Sequence, residues 1–394
     1  MQRSAVTAVW AAAALLVVTA CSDGGGDGTG RGLPAASSPA ATASGEGSGD
    51  GSEDASPSPS AAPAKGSAKV VATLAQGLKS PWGLAALPDS DLLVSSRDEG
   101  TITRVDRASG KKTTIGTVPG VSPAGEGGLL GIALSPGYAS DHLVYAYFTT
   151  ESDNRIARMV YDAKKPDGQQ LGAPDTILRG IPKGTIHNGG RIAFGPDRML
   201  YAGTGETGET GLAQDKKSLA GKILRMTPDG QPVHGNPEAD SVVYSLGHRN
   251  VQGLAWDSGK RLWASEFGQN TWDELNLIEP GKNYGWPTVE GKAGKAGYVD
   301  PVVQWKTKDA SPSGIAYAEG SIWMASLRGE RLWRIPLKGR ESAAAPQALL
   351  EGKYGRLRTV LSVGGDKVLL MTSNTDGRGT PKPGDDKILQ LEVS

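Results

Sequence analysis

Six times between residues 81 and 374 the chain repeats one unit: a short apolar strand, a turn and a second apolar strand. The copies are PWGLAALPDSDLLVSS (81–96), LLGIALSPGYASDHLVYAYFT (129–149), GRIAFGPDRMLYAGTG (190–205), VQGLAWDSGKRLWASEFG (251–268), SGIAYAEGSIWMASLRG (313–329) and RTVLSVGGDKVLLMTSN (358–374). They recur roughly every fifty to sixty residues, the length of a four-stranded blade with its loops, and weaker alternating runs such as TITRVDR and GKILRMT lie between them. Six such units closing in a ring predict an all-β fold, a six-bladed β-propeller. No stretch of the domain sustains a 3.6-residue apolar period, which counts against an α/β architecture and leaves an irregular β-sandwich array as the alternative.

In a propeller the inner strands of each blade end at one mouth of the central channel, where the loops gather. His187, one of four histidines, stands in GTIHNGGRIAFGP (184–196) immediately before the first strand of its unit. Flanking glycines free the backbone to expose the ring at that mouth. GTGETG (203–208) matches the dinucleotide pattern GxGxxG, but that motif needs a helix N-terminus within a βαβ unit, which an all-β chain does not offer. His142, His234 and His248 lack a setting like that of His187, although His248, beside Arg249, is placed to line the mouth.

The ends of the chain differ in kind. Residues 1–20 read as a targeting segment, with Arg3 as the positive end, an apolar run from Ala5 to Val18 and a small-residue cleavage site before Cys21. The VTAC site resembles a bacterial lipobox, which implies a lipid on Cys21, an extracytoplasmic location and anchoring to the outer face of the cell membrane. Residues 21–67 are Gly, Ser, Ala and Pro with scattered acids, a tether with nothing to form a core. Without leader and tether, the domain at 68–394 carries a net charge of about +3, too mild to argue for nucleic acid. Cys21 is the one cysteine, so the domain is held by packing, without disulfides.

The densest stretch is LGHRNVQGLAWDSGKRLWASEFGQNTWDELNLIEPGKNYGWP (246–287). Together with HNGGRI, LAQDKKSLAGKILRM and GEGGLLGIAL it resembles the soluble pyrroloquinoline-quinone (PQQ) dependent glucose and aldose sugar dehydrogenases, from about residue 74 to 391. PQQ is a planar quinone with three carboxylates, so its site calls for forked cations, a hard metal and flat surfaces. The resemblance implies cofactor contacts from Arg249, Asn250, Arg328, Arg356 and Arg358, the last two being two residues apart and so on one face of a strand. It implies a calcium held by main-chain oxygens of Gly268 and Gln269, and a second calcium at Glu274 with Tyr284. His187 takes the part of general base for the hydroxyl proton at the anomeric carbon.

Four positions depart from the family, among them Arg328, where the family usually has lysine, and Gln269, where it has proline. Ile186 stands where glucose-type members carry an acid, and Glu126 replaces a glutamine that touches the cofactor. A carboxylate beside a tricarboxylate is repulsive unless it is paired or protonated. The expected activity is oxidation of an aldose to its lactone, with electrons passed to an external acceptor. A calcium-dependent propeller lactonase and a non-catalytic cell-surface propeller are the rival readings.

Overall fold

The computed structural model describes residues 61–394. The leader and Cys21 lie outside the described residues, as does the tether up to residue 60. The regular structure is almost entirely strand, with one helical turn at Tyr138–Asp141 and a 3-10 turn at Thr210–Ala213.

Six antiparallel sheets follow one another along the chain, five of them with four strands and that of the fifth blade with five, and the repeat identified in the sequence supplies the two inner strands of each. The first blade begins with Pro81–Ala86 and Leu92–Ser96, the second with Leu129–Leu134 and Leu143–Thr149, and the third with Ile192–Phe194 and Leu200–Gly203. The fourth begins with Val251–Trp256 and Leu262–Glu266, the fifth with Pro312–Ala318 and Ser321–Ser326, and the sixth with Leu357–Ser362 and Lys367–Thr372. The sixth blade closes the ring. Its outer strand is Ala68–Ala75, which pairs antiparallel with Ile388–Val393 at the far end of the chain. Residues 61–67 run along the fifth and sixth blades: Ala62 N–H donates to Leu337 O, and Arg334 donates to Pro63 O.

There is no single central core. Six apolar clusters occupy the six seams between neighbouring blades, among them Ile102 and Ile115 against Val144 and Phe148, and Trp323 against Leu357 and Leu370. The inner strands crowd at the channel, which explains the glycine repeated before Leu-Ala or Ile-Ala in the sequence units. A Cβ on Gly131 would strike the carbonyl of Gly190 in the next blade, and one on Gly253 would strike Ser313 O. Only a residue without a side chain permits that approach.

Five of the six inner strand pairs carry a register shift close to one end of the channel. A bulge re-aims the side chains inside it. Trp82, Gln252 and Arg358 each lie within one of these shifts, and all three line the channel mouth.

Candidate active site

The mouth holds a cavity of about 410 Å³. Its walls come from two recurring places in the blades. Glu126, His187, Asn250, Ser311 and Arg356 precede the first strands, whereas Arg97, Gly268, Arg328 and Asp376 follow the second strands. Loop ends of this kind are where a propeller can vary side chains without disturbing its seams.

His187 is held from three directions. Its backbone is in the left-handed region at φ 54°, a conformation that needs outside support in a non-glycine residue. The support is a 2.9 Å hydrogen bond from its N–H to the Glu126 carboxylate, and a bond from Thr207 N–H to its carbonyl. The ring pairs through Nδ1 with Glu206, whose side chain is only 1% exposed. An ionised carboxylate can only accept, so Glu206 keeps the proton on Nδ1 and leaves Nε2 with its lone pair. Nε2 has no partner among the described residues, and the ring borders the cavity.

Glu206 was missed in the sequence, although it sits in GTGETG. Those glycines serve close approach instead of a phosphate: a Cβ on Gly205 would collide with His187 O. The available signal was the repeat itself, because Glu206 and Glu266 both follow or end the second strand of their units and each reaches a histidine 19 or 18 residues earlier.

The arginines predicted as a cradle do converge. Arg249, Arg328, Arg356 and Arg358 line the cavity, joined by Arg97 and Arg378, against four acids, Glu126, Asp273, Glu330 and Asp376. Arg356 and Arg358 reach one anion within the protein, both donating to Asp376 Oδ2 at 3.0 and 3.1 Å. Burial raises the Asp376 pKa, but the two guanidiniums outweigh that and hold it below the usual range. Arg358 is pushed down to about 10 by burial, so it stays cationic at neutral pH. Arg249 lies over the Trp286 ring at 5.4 Å, and its buried Nε has no partner. Asn250 holds the His187 sill through Gly189 N–H at 2.9 Å. Surplus guanidinium charge, an orphaned Arg249 Nε and the Trp82 ring at the wall fit a flat polyanionic ligand.

Glu126 is paired. One oxygen accepts from His187 N–H and the other meets Arg378 at 2.7 Å. The repulsion considered from sequence is therefore already neutralised by an arginine from the sixth blade. Ile186 is exposed beside the histidine, and the acid on the ring arrives from Glu206 instead.

Among the described residues no group of three or more His, Cys, Asp or Glu side chains could hold a metal. At the cavity, main-chain oxygens are the donors on offer to a cation. Gly268 and Gln269 line the cavity and their carbonyls accept no hydrogen bond from the described residues, which suits a hard cation. Asp273, which accepts from Gly268 N–H, is pushed up to about 6 by burial. Glu274 is also buried, and burial together with Glu266 drives its pKa up. Nearby, Asn276 Oδ1 has no partner, and such a cation-poor cluster of oxygens fits a second ion. The Tyr284 hydroxyl is unavailable, since it donates to Leu277 O and accepts from Glu279 N–H, so that residue could contribute only its main chain.

The placement of His248 corrects the sequence reading on both counts. It is fully buried and does not line the mouth. It also has a carboxylate partner, Glu266, at 2.7 Å.

The sequence profile of the Glucose / Sorbosone dehydrogenase family matches residues 78–381. The PQQ-bound form of aldose sugar dehydrogenase from Streptomyces coelicolor is similar in structure, with a TM-score of 0.84 and 75% identity over 85% of this chain and 100% of that one. Quinoprotein glucose dehydrogenase B of Acinetobacter calcoaceticus is 32% identical over 285 residues, 63% of this chain and 59% of that protein. Aldose sugar dehydrogenase YliI of Escherichia coli K12 is 32% identical over 270 residues, 63% of this chain and 72% of that protein.

Proposed function

Since the chain belongs to the glucose/sorbosone dehydrogenase family, we propose that it oxidises aldose sugars at the anomeric carbon with PQQ and calcium, passing electrons to an external acceptor. The observation that carries this reading is the meeting of His187, its Nε2 unbonded and its Nδ1 held by buried Glu206, with a guanidinium-rich cavity. Arg249, Arg328 and Arg356 would hold the cofactor carboxylates, with Arg358 and Asn250 bracing the wall behind them. The Gly268 and Gln269 carbonyls would hold calcium, and PQQ with that ion would supply a polarised two-electron acceptor.

The chain's own part is proton handling and positioning. His187 Nε2 takes the hydroxyl proton of the sugar, and the positive charge that forms on the ring is met by Glu206 on the opposite nitrogen. Glu126 and Thr207 hold the backbone beneath the ring, so the lone pair keeps its direction during turnover. The test is reconstitution of the purified domain with PQQ and Ca²⁺, followed by aldose-dependent dye reduction. Turnover that survives chelation and requires NAD would overturn the reading.

The same proposal covers location. Residues 1–20 act as a lipoprotein leader and Cys21 carries the lipid, which places the enzyme on the outer face of the cell membrane. The VTAC site before the tether supports this. Labelling of cells with a fatty acid should mark the protein, and Cys21→Ser should abolish the mark; a labelled serine variant would sink the idea.

A further inference from the structure

The loop 267–271 joins the second strand of the fourth blade, Leu262–Glu266, to the third, Trp272–Ile278, and it carries the two carbonyls assigned above to calcium. It has no helix, no disulfide and no regular ladder to hold its shape. What holds it is one carboxylate from outside the hairpin. Glu290 Oε1 accepts three backbone N–H groups, from Gln269 at 2.8 Å, Trp272 at 3.1 Å and Thr271 at 3.2 Å. Asp273 takes a fourth, from Gly268 at 2.9 Å. Successive N–H groups converging on one oxygen make a small anion-binding nest.

The consequence follows from peptide geometry. The N–H of Gln269 and the carbonyl of Gly268 belong to the same trans peptide and point in opposite directions. Fixing the first on Glu290 turns the second away from Glu290. Gly268 and Gln269 line the cavity, whereas Glu290 does not. The bond to Thr271 holds the peptide after Asn270 on the same oxygen, so the Gln269–Asn270 peptide, which carries the Gln269 carbonyl, is anchored on both sides.

We propose that Glu290 is a positioning residue for the calcium loop: without touching the ion, it presents the Gly268 and Gln269 carbonyls to the cavity. This rests on the reading of that loop as the metal site. Nothing in the 267–271 stretch itself announces the role, because Glu290 lies 21 residues beyond Gln269, half-buried in an irregular stretch of the chain.

The experiment uses the whole chain in two parts. In the first, PQQ is held in excess and Ca²⁺ is titrated while the cofactor absorbance is followed. Glu290→Ala should need roughly 10- to 100-fold more Ca²⁺ for half-saturation, the usual effect of removing an outer partner of a metal ligand. Glu290→Gln keeps an acceptor oxygen and should stay within about threefold of the parent. In the second part, amide exchange of the metal-free protein should quicken at Gln269, Thr271 and Trp272 in the alanine variant. If that variant does not fold, Glu290→Asp, one methylene shorter, should raise the Ca²⁺ requirement at least about threefold. An alanine variant that half-saturates at the parent's Ca²⁺ concentration, or exchanges at the parent's rate, overturns the role of Glu290 alone. A parent whose PQQ binding is indifferent to Ca²⁺ overturns the metal reading of the loop, and this proposal with it.

Discussion

Neighbouring blades of this propeller hold the same pair of side chains and use it differently. In the third blade His187 meets Glu206 through Nδ1, and in the fourth His248 meets Glu266 through Nδ1. Both histidines precede the first strand of their blade and both acids come from the end of the second. The other nitrogen separates them. His248 Nε2 accepts from the Ser245 hydroxyl at 2.8 Å, and its ring is stacked on Tyr284 with centroids 4.7 Å apart and no exposure to solvent. His187 Nε2 has no partner among the described residues and borders the cavity. A histidine-carboxylate pair is thus a neutral building block. What lies on the second nitrogen decides whether it does chemistry or braces a wall.

Replacing the rings one at a time should break the symmetry most clearly. His187→Ala should lower kcat by on the order of 10²- to 10⁴-fold, while PQQ still binds within a few-fold, because the cradle lies on other blades. Titration of PQQ beside steady-state dye reduction checks both halves. Near-parental turnover with normal cofactor binding would make His187 a turn residue only.

Glu206→Gln sharpens the comparison by keeping shape and removing charge. An amide can donate as well as accept, so it no longer dictates which nitrogen carries the proton. We expect kcat to fall by roughly 10²-fold with KM for the sugar moved less than about threefold. An unchanged kcat would show that the ring is oriented by Glu126 and the backbone alone.

His248→Ala should act on stability instead. It leaves the buried Glu266 carboxylate with one partner fewer, although the bond from Arg249 N–H to Glu266 remains. Unfolding in urea should report a loss of about 3 kcal/mol, and kcat per folded molecule should stay within about tenfold. A loss of activity like that of His187→Ala, without loss of stability, would erase the distinction between the two sites.

The smallest effects concern the other acid at His187. With its charge met by Arg378, Glu126→Gln should leave the PQQ titration midpoint within about threefold. Arg378→Ala, which strips the partner, should weaken PQQ by roughly five- to tenfold, the size expected of one nearby like charge at high effective dielectric. The double variant should return toward the parent. If it does not, Arg378 acts on the cofactor directly.

Much of this was legible before any coordinates. The alternation of apolar strand, turn and apolar strand is a period-two pattern, and its sixfold recurrence left little besides a ring of blades. His187 was recognisable by its place in the repeat, and the arginines by resemblance to a known set. Less legible were the partners. Glu206 was hidden in a pattern that asked a different question of the same letters, His248 was read as lacking such a setting, and Arg378 carried no motif at all.

That division has a physical origin. Strand pairing, turns and the glycines at the seams are decided by neighbours within a blade or by a backbone approach that recurs in every blade, so six copies of one local pattern determined an all-β ring with a mouth. Polar pairing at the mouth is decided by which loops the closed ring brings face to face. Arg378 meets Glu126 across 252 residues of chain, and Arg358 meets Gln252 across 106. Such a pair exists only after Ala68–Ala75 has closed on Ile388–Val393, and a carboxylate cannot be told from a solvated surface charge until that closure buries it beside its guanidinium.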